Sequence, residues 1–283
     1  MRVSTPSVDR QTRPASGRLR PRRVVGLAGA LALVALVATG CSQSEIEAWQ
    51  RGGFPAPATE QAPIILQQWQ LSWVAALIVG ALVWGLIIIA IIAFRRRGNE
   101  VPEQTKYNLP IEMLYTVAPL IMIMTMFYFT ARDQAEIQKV TNDQALTVNV
   151  VGFKWNWAFN YIDQGAYSIG TPEHRSELVL PVDEKVKFEL TSPDVIHSFW
   201  IPSFLYKMDV FPGRKNVFEV TPNKIGVYAG RCAELCGVDH SQMLFTVRVV
   251  PKAEFEAWIA SLKAKGQSGM IETGRTNDAG ATE

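Results

Sequence analysis

Two cysteines, two histidines and a methionine are spaced so that they could share one metal site. The stretch Arg231-Cys232-Ala233-Glu234-Leu235-Cys236-Gly237-Val238-Asp239-His240-Ser241-Gln242-Met243 places its donors as Cys-x-x-x-Cys-x-x-x-His-x-x-Met, and His197 precedes it in His197-Ser198-Phe199-Trp200. Soft sulfur ligands select copper, zinc or iron-sulfur clusters, and two imidazoles with a thioether narrow the choice toward copper. A mononuclear blue-copper site uses one Cys. A second Cys on the same loop lets two thiolates bridge two copper ions and share one electron between them, so the chemistry is electron transfer. A Cys232–Cys236 disulfide is permitted outside the cell, but it gives no role to His197, His240 or Met243. Structural zinc prefers four ligands in paired spacing and leaves Met243 over.

Such a loop needs a rigid scaffold. Leu146 to Val151, Val186 to Leu190 and Leu244 to Val249 alternate apolar and polar residues, the pattern of half-buried strands. Turn clusters at Ser192-Pro193-Asp194 and Pro222-Asn223 separate them. Short strands at this spacing predict a sandwich or barrel, with the cysteine loop between strands at 225–231 and 243–250. Phe153, Trp155, Trp157, Phe159 and Tyr161 alternate as if along one strand. Phe255, Trp258, Ile259 and Leu262 recur at helical spacing, predicting a short amphipathic helix over 253–264, and residues 266–283 show no periodicity and read as a disordered tail. His174, in the loop 162–176, reads as a solvent-exposed residue.

Upstream, Leu71 to Phe94 is apolar without a charge, long enough for a bilayer that needs about 20 residues. Arg95-Arg96-Arg97 ends it, so residues 95–108 are expected on the cytoplasmic side. A second apolar run over 111–129 returns the chain to the exterior. Residues 1–23 carry seven Arg and one Asp, followed by an apolar run from Val24 to Val37 and by Ala38-Thr39-Gly40-Cys41. This reads as a secretory signal peptide over 1–40. Cys41 is then a lipidation candidate, with Ala38 where lipoprotein sites usually have Leu. Cleavage there removes seven positive charges and one negative, taking the net charge from +2 to −4. No basic face for nucleic acid is left.

The segments 192–202 and 207–214 together with the cysteine loop closely resemble subunit II of cytochrome c oxidase with its binuclear CuA centre, and the likeness runs from about Trp69 to about Lys265. The resemblance implies an α+β membrane protein: a two-helix transmembrane hairpin over 69–130 followed by a cupredoxin-like Greek-key β-barrel over 131–265. It implies that His197, Cys232, Cys236, His240, Met243 and the Glu234 carbonyl bind two coppers, and that the Glu234 side chain helps hold a magnesium ion shared with subunit I. Trp155 matches the family's electron-accepting Trp, although Asn156 replaces the Tyr that follows it and Lys154 precedes it. Glu112 matches the acid at the mouth of a proton pathway into subunit I; without that likeness it would read as a headgroup-facing carboxylate. Asp209 and Arg214 fall in a segment the resemblance places at the subunit I border. Haem is expected only in subunit I. The implied partners are subunits I and III, the membrane lipid, and either cytochrome c or the cytochrome of a cytochrome bc complex. The implied location is the bacterial plasma membrane, with the N-terminus and C-terminal domain extracytoplasmic.

Three other functions share part of this pattern. A quinol oxidase subunit has the spans and barrel without the copper ligands. Nitrous-oxide reductase has a similar loop on a soluble enzyme, against which the two spans and Glu112 argue. A copper chaperone or storage lipoprotein has little use for Glu112, Glu234 and the aromatic strand. No Cys-x-x-Cys-His haem-attachment motif occurs in the chain.

Overall fold

The computed structural model describes residues 42–271, apart from Glu100, Pro102, Asn142, Pro172 and Glu173. The expected signal peptide, Cys41 and residues 272–283 lie outside the described residues. A short helix, α1 (Gln43–Gln50), is followed by two long ones, α2 (Ala62–Ala93) and α3 (Leu109–Ile137). Both long helices pass as membrane spans by length and composition. They outrun the apolar stretches that predict them because nothing breaks the helix where those stretches end: Gln67, Gln68 and Gln70 before one and Arg132 to Glu136 after the other are tolerated helix residues. At 1.5 Å per residue α2 is about 48 Å long, against a hydrocarbon core of about 30 Å. Gln68 Nε2 donates to Thr130 Oγ1 at 2.9 Å, tying the two helices together outside their apolar runs. Pro119 is accommodated inside α3.

The remainder is two five-stranded sheets. One has the order β3-β2-β1-β5-β8, built from β1 (Leu146–Phe153), β2 (Asn156–Tyr161), β3 (Ala166–Ile169), β5 (Val186–Thr191) and β8 (Asn216–Val220). The other has the order β4-β10-β9-β6-β7, from β4 (Ser176–Pro181), β6 (His197–Ile201), β7 (Tyr206–Val210), β9 (Gly226–Cys232) and β10 (Leu244–Val250). The chain crosses between sheets, so β1 pairs parallel with β5 and β10 parallel with β4. This is the expected cupredoxin-like double sheet. Trp157 and Phe159 on one sheet meet Phe199 and Phe245 on the other, the last two stacked at 5.1 Å. The buried Tyr161 hydroxyl donates to the Val179 carbonyl at 3.1 Å and accepts from the Val179 N–H at 2.9 Å, so its polar tip is satisfied across the core. Helix α4 (Lys252–Ala264) buries Phe255, Ile259 and Leu262 and sets Phe255 and Trp258 against Tyr161.

Three expectations change. The aromatic run is not one strand: Phe153 pairs with Asn156 across a two-residue turn, so Lys154 and Trp155 are the tip of a hairpin between β1 and β2. The loop 162–176 contains strand β3, while His174 is exposed as expected. Residues 267–271 are packed rather than disordered. They lie along the edge of β3, with Tyr167 N–H donating to Gln267 O at 3.2 Å and Gly269 N–H to Gly165 O at 2.9 Å. The fully buried Asn160 side chain accepts from Ile271 N–H at 2.9 Å and donates to Ile271 O at 2.8 Å. Backbone pairing needs no apolar period, which is why periodicity missed it.

The segment leading into α2 is part of the sheet domain. Ala58 N–H donates to Ser203 O at 2.9 Å, Asn223 N–H to Ala58 O at 3.0 Å, and Glu60 N–H to Thr221 O at 3.0 Å, with Ala58, Thr59 and Ala62 buried. The N-terminal end of α2 is thereby anchored to the sheets.

Candidate metal centre

Strand β9 delivers Cys232 at its C-terminal end, β6 delivers His197 at its start, and the loop between β9 and β10 delivers Cys236, His240 and Met243. Glycine permits the close approach behind them: a Cβ at Gly152 would stand 3.0 Å from the Trp157 ring and 3.3 Å from His197 Cβ. Trp157 lies edge-on to the His197 ring, and its Nε1 donates to Met243 O at 3.5 Å. His197, Cys232, Cys236 and Met243 are buried, and His240 is half-buried.

The donor atoms converge. Cys232 Sγ is 3.9 Å from Cys236 Sγ and 3.9 Å from His197 Nδ1; Cys236 Sγ is 3.5 Å from His240 Nδ1 and 3.7 Å from Met243 Sδ. The Glu234 carbonyl oxygen is 3.2 Å from Cys232 Sγ, while its side chain is exposed. A disulfide needs sulfurs about 2.05 Å apart. Donors that share one tetrahedral metal with bonds of about 2.0–2.3 Å stand roughly 3.3–3.8 Å apart, so these separations suit ligands around metal ions. Burial raises both thiols, yet the His197 imidazole holds Cys232 below the ordinary thiol value, whereas burial and the adjacent Cys232 push Cys236 above it. Two buried thiolates side by side need cationic compensation, which bound metal supplies. The soft donor set is consistent with a CuA copper site.

Trp155 lies over this loop: a Cβ at Gly237 would be 3.0 Å from its Nε1, which is buried without a hydrogen-bond partner among the described residues. Asp194, not among the residues expected at the site, belongs to it as well. Its Oδ1 is 2.9 Å from His197 Nε2. An acid three residues before a candidate histidine ligand was the available signal, since metal-bound imidazoles usually donate their second N–H to a carboxylate or carbonyl.

Glu112 is far along the chain, in the first turn of α3. Asn108 caps that helix, its Oδ1 accepting from Ile111 N–H at 3.4 Å, and Glu112 Oε1 accepts from Asn108 N–H at 2.8 Å in return. It thus has a helix-capping contact that the sequence reading did not include. Asp209 O accepts from Asn216 Nδ2 at 2.7 Å, Arg214 is exposed, and among the described residues neither forms an ion pair.

Known proteins agree with this assembly of spans, sheets and soft donors. Residues 48–131 match the family described as "Cytochrome C oxidase subunit II, transmembrane domain", and residues 146–250 match "Cytochrome C oxidase subunit II, periplasmic domain". A probable cytochrome c oxidase subunit 2 of Streptomyces avermitilis is 46% identical over 282 aligned positions, covering 86% of this chain and 88% of that one. Cytochrome c oxidase subunit 2 of Mycobacterium tuberculosis is 31% identical over 310 positions, covering 88% and 85%. A crystal structure of the periplasmic domain of subunit II of cytochrome oxidase from Bradyrhizobium japonicum aligns with 34% identity and a TM-score of 0.41, covering 44% of this chain and 99% of that one. The protein is therefore a membrane protein with a periplasmic-type domain and a CuA-like His/Cys/Met site, part of a haem-copper oxidase complex, and the chain belongs to the cytochrome c oxidase subunit II family.

Proposed function

We propose that this chain takes electrons one at a time from a c-type cytochrome and hands them to haem in subunit I, where oxygen is reduced and protons are pumped. The observation that carries the reading is the convergence of Cys232, Cys236, His197, His240, Met243 and the Glu234 carbonyl, with successive contacts of 3.2–3.9 Å. These six groups would hold two copper ions, which when bound supply a one-electron carrier. The chain's own contribution is rigidity and exclusion of water: the donors come from strand ends and a short loop, packed under Trp157 and Phe199. A site already held in shape needs little rearrangement when its charge changes. The exposed Glu234 side chain is available for a magnesium ion at the border with subunit I, for which a carboxylate is a suitable ligand.

Trp155 is the residue assigned to electron acceptance, because its ring rests on the Cys236–His240 loop at the tip of an exposed hairpin. Glu112 is assigned to proton uptake on the cytoplasmic side, and Cys41 to lipid attachment. The last assignment is checked by mass spectrometry of the purified subunit, where an N-terminus other than acylated Cys41 would refute it. The donor is a free cytochrome c, a membrane-anchored one or the cytochrome of a bound bc complex. The functional reading is tested by rapid mixing of the purified oxidase with reduced cytochrome c. Wild type should show the copper absorption bleaching before haem is reduced. Trp155→Phe should keep its copper and slow that first phase about tenfold, about 1.4 kcal/mol of barrier. Haem reduction preceding any change at copper would contradict the reading.

A further inference from the structure

Asp194 is bonded on both sides. Oδ1 meets His197 Nε2 at 2.9 Å and accepts from Val195 N–H at 2.6 Å, while Oδ2 accepts from Lys154 N–H at 2.7 Å. Ser192 Oγ steadies the turn from below, 3.3 Å from Asp194 Oδ1 and donating to Val195 O at 2.6 Å. Lys154 is the residue before Trp155 in the hairpin tip, and His197 is fully buried at the start of β6 in the opposite sheet. One carboxylate therefore joins the backbone that carries the aromatic residue to an imidazole of the metal centre.

We propose that Asp194 is a positioning residue that fixes the tautomer of His197 with one oxygen and the seat of Trp155 with the other, a reading that rests on the copper function proposed above. His197 presents Nδ1 to Cys232 Sγ, so Nδ1 must keep its lone pair for a metal and the proton must reside on Nε2. Nε2–H then donates to the carboxylate, which locks the ring's tilt and makes it a stronger donor. His240 presents Nδ1 to Cys236 Sγ, and among the described residues its Nε2 has no side-chain partner. The two imidazoles are thus unequal, and the His197 side is the more electron-rich. At the other oxygen, the Lys154 bond holds the backbone from which the Trp155 indole reaches Gly237.

The experiment uses the intact oxidase purified with Asp194→Asn. Removing a negative charge from behind His197 favours the less positive, reduced state of the bound copper. The variant should hold wild-type copper, with a one-electron potential raised by at least a tenfold change in the equilibrium, about 59 mV. The nuclear coupling of one imidazole nitrogen should change with it, and reduction by cytochrome c should slow. Wild-type potential and wild-type nitrogen coupling in a copper-loaded variant would overturn the proposal. If the variant fails to assemble, the unmodified oxidase decides: after transfer to heavy water, electron-nuclear double resonance should still show one coupled imidazole proton, shielded by Asp194. Complete exchange of such protons overturns it. A wild-type oxidase with no two-copper signal would instead sink the functional reading and leave the Asp194 contacts as structure alone.

Discussion

Glu112 caps α3 and is proposed to take up protons, and one substitution separates the two roles. Its carboxylate closes the cap of α3 by accepting from Asn108 N–H, and a Gln at this position keeps a carbonyl acceptor for that bond. Glu112→Gln should therefore leave the helix and the amount of assembled oxidase unchanged while lowering steady-state oxygen consumption several-fold, with copper reduction by cytochrome c untouched. Unaltered oxygen consumption would return the residue to a purely capping role. The individual metal donors were legible in the sequence because their types are rare and their spacing is local. Asp194 was legible only as an acid three residues before His197, because its second contact comes from Lys154, forty positions away. The sequence placed Trp155 within one strand and not at a hairpin tip. Alternation from Phe153 to Tyr161 continues unbroken across the turn, and no Gly or Asn at 154–155 marks it.

At the scale of elements, the strands with clean alternation and the helix at 252–264 were readable from apolar period alone. The helix ends and the C-terminal strap were not, since neither is set by apolar residues. The strap covers the open edge of β3, which would otherwise present unpaired backbone groups. Asn160 fixes it with two bonds to Ile271 and a third to Asn149 Oδ1 at 3.0 Å. Asn160→Ala removes all three inside the protein, costing about 1–3 kcal/mol. The variant should unfold at lower temperature and lose its C-terminal segment to limited proteolysis faster than wild type, with copper spectra preserved. Equal cleavage rates would show that the backbone bonds to Tyr167 and Gly165 hold the strap unaided.

For the molecule as a whole, the arrangement separates two tasks. The sheets hold the CuA-like site, α3 carries Glu112, the proposed proton-uptake residue, in its first turn, and the segment Ala58–Gln61 fastens the start of α2 to the sheets. Everything else in the proposed function depends on the claim that Cys232 and Cys236 bind two coppers jointly. Electron paramagnetic resonance of the oxidised, purified oxidase tests it most directly. Wild-type oxidase should show a copper hyperfine pattern in which one unpaired electron is shared by two equivalent nuclei, collapsing to a single-nucleus pattern in Cys236→Ser. A single-nucleus pattern in the wild-type protein would contradict it.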